Sequence, residues 1–276
     1  MGKTINFFIA FLFIISSQGY ASDNHTWRPI IVQGAMNSEI NILIKALENP
    51  SEISINGWTF WKGTIKGYTV IVSRTLKGIT NAAVATTLGI ERFYPKIIIN
   101  QGTSGSHDPD LNLFDIVLGE KTINYSTFKT KHREFGQGVE LYDWELLPVQ
   151  LRIADKYENF TFFASNSKLI GLAKNISYSR GGVKIGVIAT HNQWNRELDF
   201  IKMLRERYGT SVEEMESASV AQVAKAYNIP FLAIRIVSDS EYRHQDFEKS
   251  SGQYCQEYTL NVIKAIINNI ENGTEF

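Results

Sequence analysis

The 276-residue sequence holds a single cysteine, Cys255. No intrachain disulfide can brace the chain, so its stability must come from a core. The thiol falls among Tyr254, Tyr258 and Leu260 in a predicted C-terminal helix, which suits a buried structural side chain better than a nucleophile. Charge of one sign is also missing: 28 lysines and arginines balance 28 aspartates and glutamates. That balance gives no footprint for nucleic acid, and no long charge run marks an interaction tail. The short cluster Lys129, Lys131, His132 and Arg133 reads as a solvated loop. Proline is scarce, at six residues, and no Pro/Gly/Ser linker, repeat or low-complexity tract divides the chain. His, Cys and acidic residues nowhere take metal-ligand spacing. The glycine turns lack Walker or Rossmann spacing.

The uninterrupted apolar run Phe7 to Ile15 is too short to cross a bilayer. It follows Lys3, precedes the more polar Ser16 to Tyr20, and leads to the small-x-small site Gly19-Tyr20-Ala21. This pattern predicts a signal peptide over residues 1–21, cleaved after Ala21, and a single mature domain over 22–276. The mature protein is then exported, periplasmic or secreted, with no membrane association. No cysteine follows the cleavage site, which disfavours a lipid anchor.

Apolar, β-branched runs alternate with segments of helical period through most of the mature chain. Strands are predicted at Trp27 to Gln33, Trp58 to Ile65, Tyr68 to Ser73, Lys96 to Asn100, Phe114 to Gly119, Val183 to Ala189, Val212 to Met215 and Phe231 to Val237. Helices are predicted from about Ser38 to Leu47, Ile79 to Phe93, Ser165 to Asn175, Arg196 to Tyr208, Ser217 to Tyr227 and Tyr254 to Ile270. Residues 101–105 read as a glycine-bearing turn, and 124–160 as a long irregular excursion with some strand. Such alternation predicts one α/β domain with a mixed, mostly parallel sheet.

Polar residues gather where the strands end. Glu39 follows the first, Gly102-Thr103-Ser104-Gly105 the run KIIIN, His191 to Trp194 the run VKIGVIA, Glu214 and Glu216 follow Val212, and Asp239 ends FLAIRIVSD. Were these strands parallel, all five groups would share one sheet edge, where open α/β sheets bind ligands. Asp239 could still be a turn or cap residue. Glu214 and Glu216 could accept hydrogen bonds from a sugar diol or simply favour a helix N-terminus. Backbone N–H groups of 102–105 could hold an anion or a water. Trp194 could stack on a flat base or pack in a core. His191, without partners, makes a poor metal ligand.

Four of these segments carry a resemblance. Gly34-Ala35-Met36-Asn37-Ser38-Glu39 is similar to G-A-M-x-x-E, and Asn100 to Gly105 to N-x-G-[ST]-x-G. Glu214-Met215-Glu216-Ser217-Ala218 matches E-M-E-[AS]-A, and Arg235 to Asp239 matches R-x-x-S-D. Together and in this order they resemble the 5′-methylthioadenosine/S-adenosylhomocysteine nucleosidases of the purine nucleoside phosphorylase superfamily, over residues 29 to 270. The resemblance implies a central sheet curling into a partial barrel flanked by helices. It also implies an N-ribosyl hydrolase without metal or organic cofactor, acting on a purine nucleoside as a homodimer. By that resemblance Asp239 protonates the leaving purine at N7. Glu39 activates the attacking water, with Arg235 and Thr103 helping to hold it. Glu216 binds the ribose hydroxyls over Met215, Trp194 lies against the base, and Gly105, Glu214 and Ser238 complete the substrate pocket. The loop from Thr190 to Trp194 and the excursion at 124–160 depart from the family pattern, which leaves the base and the 5′ group unread. A phosphorylase and a non-catalytic purine-binding or storage protein share the fold and stand as alternatives.

Overall fold

The computed structural model describes residues 28–276, so the predicted signal peptide at 1–21 lies outside the described residues. The first strand, β1 (Ile30–Gly34), shows how the layers form. Its Ile30 and Val32 face one core and Ile31 the other, the period-two alternation of a strand covered on both faces. Helix α1 (Asn37–Lys45) follows. Then come β2 (Glu48–Ile55), β3 (Trp58–Ile65), β4 (Tyr68–Arg74) and α2 (Ile79–Phe93). The next strands are β5 (Ile97–Ser106) and β6 (Ile116–Asn124). Short pieces come next: β7 (Phe128–Lys129), β8 (Glu145–Leu146), β9 (Val149–Ile153), β10 (Lys156–Phe160) and β11 (Phe163–Ala164). The chain then runs through α3 (Ser167–Lys174), β12 (Val183–Thr190), α4 (Leu198–Tyr208), β13 (Thr210–Glu214) and α5 (Ser217–Ala226). It ends in β14 (Phe231–Asp239) and α6 (Ser251–Glu271).

One ten-stranded mixed sheet carries the fold. Its order is β11-β6-β12-β13-β5-β1-β4-β3-β2, and β14 pairs with both β5 and β6. The second pairing closes β5, β14, β6, β12 and β13 into a ring, so the partial barrel expected from the resemblance is complete. All nine residues of β14 are buried, as a strand inside such a ring must be. Side chains from α1, α3 and α6 pack in the core that holds Ile30, Ile97 and Leu232, and those of α2 and α5 in the core that holds Ile31, Ile98 and Phe231.

Three expectations change. The predicted turn at 101–105 is the second half of β5: Gly102 to Gly105 pair with Arg235 to Asp239 of β14. Polar and small residues disguised a strand that continues along a ligand site. The strands are also not all parallel. β13 runs antiparallel to β5, and β14 antiparallel to β6. The parallel strands β1, β5 and β14 do bring Glu39, residues 102–105 and Asp239 to one edge, and the antiparallel β13–β5 pairing that closes the ring adds the acids at the end of β13. The strand β2 was not anticipated; its sequence ENPSEISI is mostly exposed, with Pro50 on the sheet's edge, where a missing N–H costs nothing. The excursion at 124–160 resolves into two small hairpins, β7–β8 and β9–β10. Among the described residues no helix is long and apolar enough to cross a membrane.

Candidate active site

Gly105 marks the centre of the site. It pairs with Glu213 on one side and Asp239 on the other, and residues directly opposite in neighbouring strands project from the same face. A Cβ at Gly105 would lie 2.9 Å from Oδ2 of Asp239 and 3.7 Å from Cγ of Glu213. Only glycine lets the two acids lean over this strand.

Asp239 is buried, and its carboxyl is held above the ordinary range. Burial is the main cause, the charges of Glu213 and Glu241 add to it, and Ser238 and Arg196 oppose it. Ser238 Oγ sits 2.6 Å from Oδ1 of Asp239 and 3.0 Å from the Ser104 carbonyl. A hydroxyl has one proton to give. Ser238 therefore donates to Oδ1 of Asp239 or to the Ser104 carbonyl at any one moment, and its donation to Oδ1 is what pulls the carboxyl back towards its charged form.

Glu39 stands across the cavity in the first turn of α1. Its Oε2 accepts from the N–H groups of Ala35 (2.9 Å) and Met36 (3.1 Å). Its Oε1 accepts from the N–H and hydroxyl of Thr103, at 2.9 and 3.0 Å. The approach depends on Gly102, where a Cβ would come within 2.8 Å of Oε1. Glu216 stands at the N-cap position of α5 with its side chain turned to other partners, accepting at Oε1 from the Gly78 N–H at 2.9 Å. Its carboxyl is raised by burial and by the neighbouring Glu214, against the pull of Arg235. Met215, Thr103, Trp194 and Phe247 line the same cavity. Trp194 is 61% exposed and meets Phe247 edge-to-face at 6.1 Å, so it forms a wall at the mouth rather than a core contact.

Two residues take places other than those expected. Glu214 borders the cavity, but its oxygens are committed. They accept from Thr190 Oγ1, from the N–H groups of Glu216 (3.0 Å) and Ser217 (2.9 Å), and from Arg235. Arg235 lies behind the wall, 1% exposed. Its guanidinium donates to Glu214, to Asn100 Oδ1 at 2.5 Å and to the Ile234 carbonyl at 2.9 Å. Burial opposes its charge, but Glu214 and Glu216 outweigh burial and secure it. The pair braces the Glu214-Met215-Glu216 turn. His191 stacks on Tyr125 with ring centroids 4.8 Å apart, and burial lowers its pKa. Among the described residues no group of three His, Cys, Asp or Glu side chains could hold a metal ion.

The Phosphorylase superfamily family model matches residues 29–268. A 5′-methylthioadenosine/S-adenosylhomocysteine nucleosidase of Tolumonas auensis is 32% identical over 209 residues, covering 75% of this chain and 84% of that protein. Its namesake in Pseudoalteromonas translucida is 30% identical over 246 residues, covering 87% and 96%. The chain belongs to the 5′-methylthioadenosine/S-adenosylhomocysteine nucleosidase family. Solved structures share its fold. The Neisseria meningitidis nucleosidase in complex with methylthio-immucillin-A superposes with a TM-score of 0.70 at 24% identity, over 86% of this chain and 99% of that one. The futalosine hydrolase of Helicobacter pylori superposes with a TM-score of 0.71 at 23% identity, over 87% and 99%.

Sequence reasoning missed Glu213, Phe247 and Lys77 on the cavity wall. Glu213 had a signal, because a strand of alternating faces that ends at Glu214 must turn its penultimate residue the other way. Phe247 and Lys77 sit in irregular segments between elements, where periodicity carries no information.

Proposed function

We propose that the protein hydrolyses the N-glycosidic bond of a purine nucleoside of the 5′-methylthioadenosine or S-adenosylhomocysteine type, releasing adenine. The observation that carries this reading is a buried acid, Asp239, whose burial favours its protonated form, on the wall of the same cavity as Glu39, whose oxygens are fixed in place. Bond cleavage builds negative charge on the departing base and positive charge on the ribose. Asp239 gives its proton to N7, so the purine leaves neutral. Glu216 accepts hydrogen bonds from the ribose hydroxyls, which orients the sugar for attack. Of the four donors on Glu39, the Thr103 hydroxyl alone can rotate away, which frees a lone pair on Oε1 for the attacking water. Trp194 closes the mouth over the base. Arg235 acts through Glu214 as a positioning residue.

Lys77 is the one basic side chain among the described residues of the cavity wall; burial pushes Asp239 and Glu216 towards their neutral forms and Glu214 is paired with Arg235, which leaves Glu39 and Glu213 as the acids set against it. A phosphate dianion would meet more negative than positive charge there, which favours water as the nucleophile. The test is to incubate the protein with a nucleoside panel, with and without phosphate, and to identify the products. Free base plus free pentose in both conditions supports the reading; ribose 1-phosphate formed only with phosphate assigns the chain to the phosphorylases instead.

A homodimer is proposed on family resemblance and on the uncovered Phe135, Val139 and Tyr157 of the 124–160 excursion; light scattering on the purified protein reads it directly. Export rests on the composition of residues 1–21. N-terminal sequencing of protein recovered from outside the cytoplasm should begin at Ser22.

A further inference from the structure

Glu213 sits on the cavity wall beside the proton donor, yet none of the steps above uses it. It is held with unusual care. Its Oε1 accepts from the Asn195 N–H at 2.9 Å. Its Oε2 accepts from the Tyr125 hydroxyl at 2.9 Å and lies 2.9 Å from Nε2 of His107. His107 is itself fully buried, with Nδ1 2.9 Å from the Thr210 hydroxyl. A carboxylate offers about four acceptor positions. Three are filled, and the open one is on Oε1. Glu214 has no such vacancy, since its oxygens already meet Thr190 Oγ1, Arg235 and the N–H groups of Glu216 and Ser217. A buried carboxylate on the cavity wall, with so rigid a mount and one acceptor position unfilled, is suited to accept from a ligand.

Its position says which part of the ligand. Glu213 and Asp239 flank the bare backbone of Gly105 on one face of the ring, with the Cγ of Glu213 and Oδ2 of Asp239 both within 4 Å of the point a Gly105 Cβ would take. If Asp239 addresses N7 of the purine, the neighbouring acid faces the edge that begins next to N7, where the C6 substituent and N1 lie. A carboxylate only accepts. We propose that Glu213 is the base-specificity residue and requires an N–H donor on the six-membered ring of the purine. The 6-amino group of adenine and the N1–H of a 6-oxopurine both supply one. Unsubstituted purine supplies neither and would turn a ring-nitrogen lone pair towards the carboxylate. This inference rests on the nucleosidase reading for the orientation of the base.

Binding of the free bases adenine, hypoxanthine and purine, measured by calorimetry alongside nucleoside turnover, separates the two. The wild-type protein should bind adenine or hypoxanthine about 10- to 100-fold more tightly than purine, the range expected for a hydrogen bond to a charged acceptor. Whichever of the two is preferred identifies the donor as the amino group or N1–H. Glu213→Val with His107→Leu and Tyr125→Phe replaces the whole network by apolar side chains, leaving fewer orphaned polar groups than the single change. That triple variant should bind all three bases within about threefold of one another. Glu213→Gln alone checks the fold if the triple variant fails to express, and should narrow the preference over purine. Unchanged discrimination in both variants overturns the role of Glu213 while leaving hydrolysis standing. Glu213-dependent discrimination without turnover overturns hydrolysis and leaves the role of Glu213 standing. Equal wild-type affinity for purine and both substituted bases overturns the inference outright.

Discussion

Arg235→Met should destabilise the protein by about 3–5 kcal/mol, the cost of leaving one member of a buried ion pair unpaired. The side chains of Arg235 and Glu214 are 1% and 2% exposed, so neither charge is relieved by water. Methionine fills much of the space but removes every N–H of the guanidinium. The Ile234 carbonyl loses its side-chain donor, while Asn100 Oδ1 keeps the Ser217 hydroxyl at 3.3 Å. Glu214 also keeps Thr190 Oγ1 and the N–H groups that open α5. These survivors put the expected loss near the lower end, at ~3 kcal/mol. With a urea slope of about 2–3 kcal/mol per molar, the unfolding midpoint should fall by about 1 M. Adding Glu214→Gln should restore part of the loss, because it removes the orphaned charge; the two changes are then coupled by about 1 kcal/mol or more. Urea unfolding of R235M, E214Q and R235M/E214Q, followed by circular dichroism, reads all of this. A loss below about 1 kcal/mol, or strict additivity, would refute the bracing role. It would return Arg235 to the water-holding place that family resemblance suggested.

Asp239→Asn should abolish turnover while substrate binding stays within about tenfold, a gap of ~1.4 kcal/mol; isothermal titration with a slowly cleaved nucleoside checks it. The raised carboxyl of Asp239 also fixes the sign of two pH effects. As an acid that must be protonated, it should make kcat/KM fall as pH rises through its folded pKa. Because that pKa exceeds the unfolded ~3.9, its stabilising protonation is complete below about pH 4 and is lost as pH rises. Asp239→Asn should therefore unfold at a higher temperature than wild type at pH 8, with the difference vanishing near pH 4 in calorimetric scans. Gly105→Ala places a Cβ 2.9 Å from Oδ2 of Asp239. It should lower kcat by about 10- to 100-fold through displacement of the acid, and an unchanged kcat would show that the carboxyl can move freely. Glu39→Gln should lower kcat by about 100-fold or more with little change in base affinity, measured by steady-state kinetics and adenine titration.

Much of the fold was legible because it rests on period. The buried runs of β1, β12 and β14 and the helix over Ile79–Phe93 follow from apolar spacing alone. The second half of β5 was not legible. Gly-Thr-Ser-Gly has the composition of a turn, and its extended state depends on pairing with residues more than a hundred positions later. Motif order pointed to Glu39, Glu216 and Asp239, and the structure places all three on one cavity wall. The places of Arg235 and Glu214 were obscured for a different reason. Whether a charged side chain faces the cavity or braces it from behind is decided by burial and partners, which a linear motif does not encode. Glu213 lay one residue outside a recognised motif, and its partners His107 and Tyr125 come from the residues just past the ends of β5 and β6, far away in sequence.

The central claim is that water, activated at Glu39, attacks the ribose while Asp239 protonates the departing purine. Turnover of 5′-methylthioadenosine in heavy-oxygen water, followed by mass spectrometry of the pentose, tests it most directly. The account predicts one solvent oxygen in each released sugar, the same yield with or without phosphate, and no release by the Asp239→Asn variant. Unlabelled sugar phosphate, or base release that persists without the Asp239 carboxyl, would contradict it.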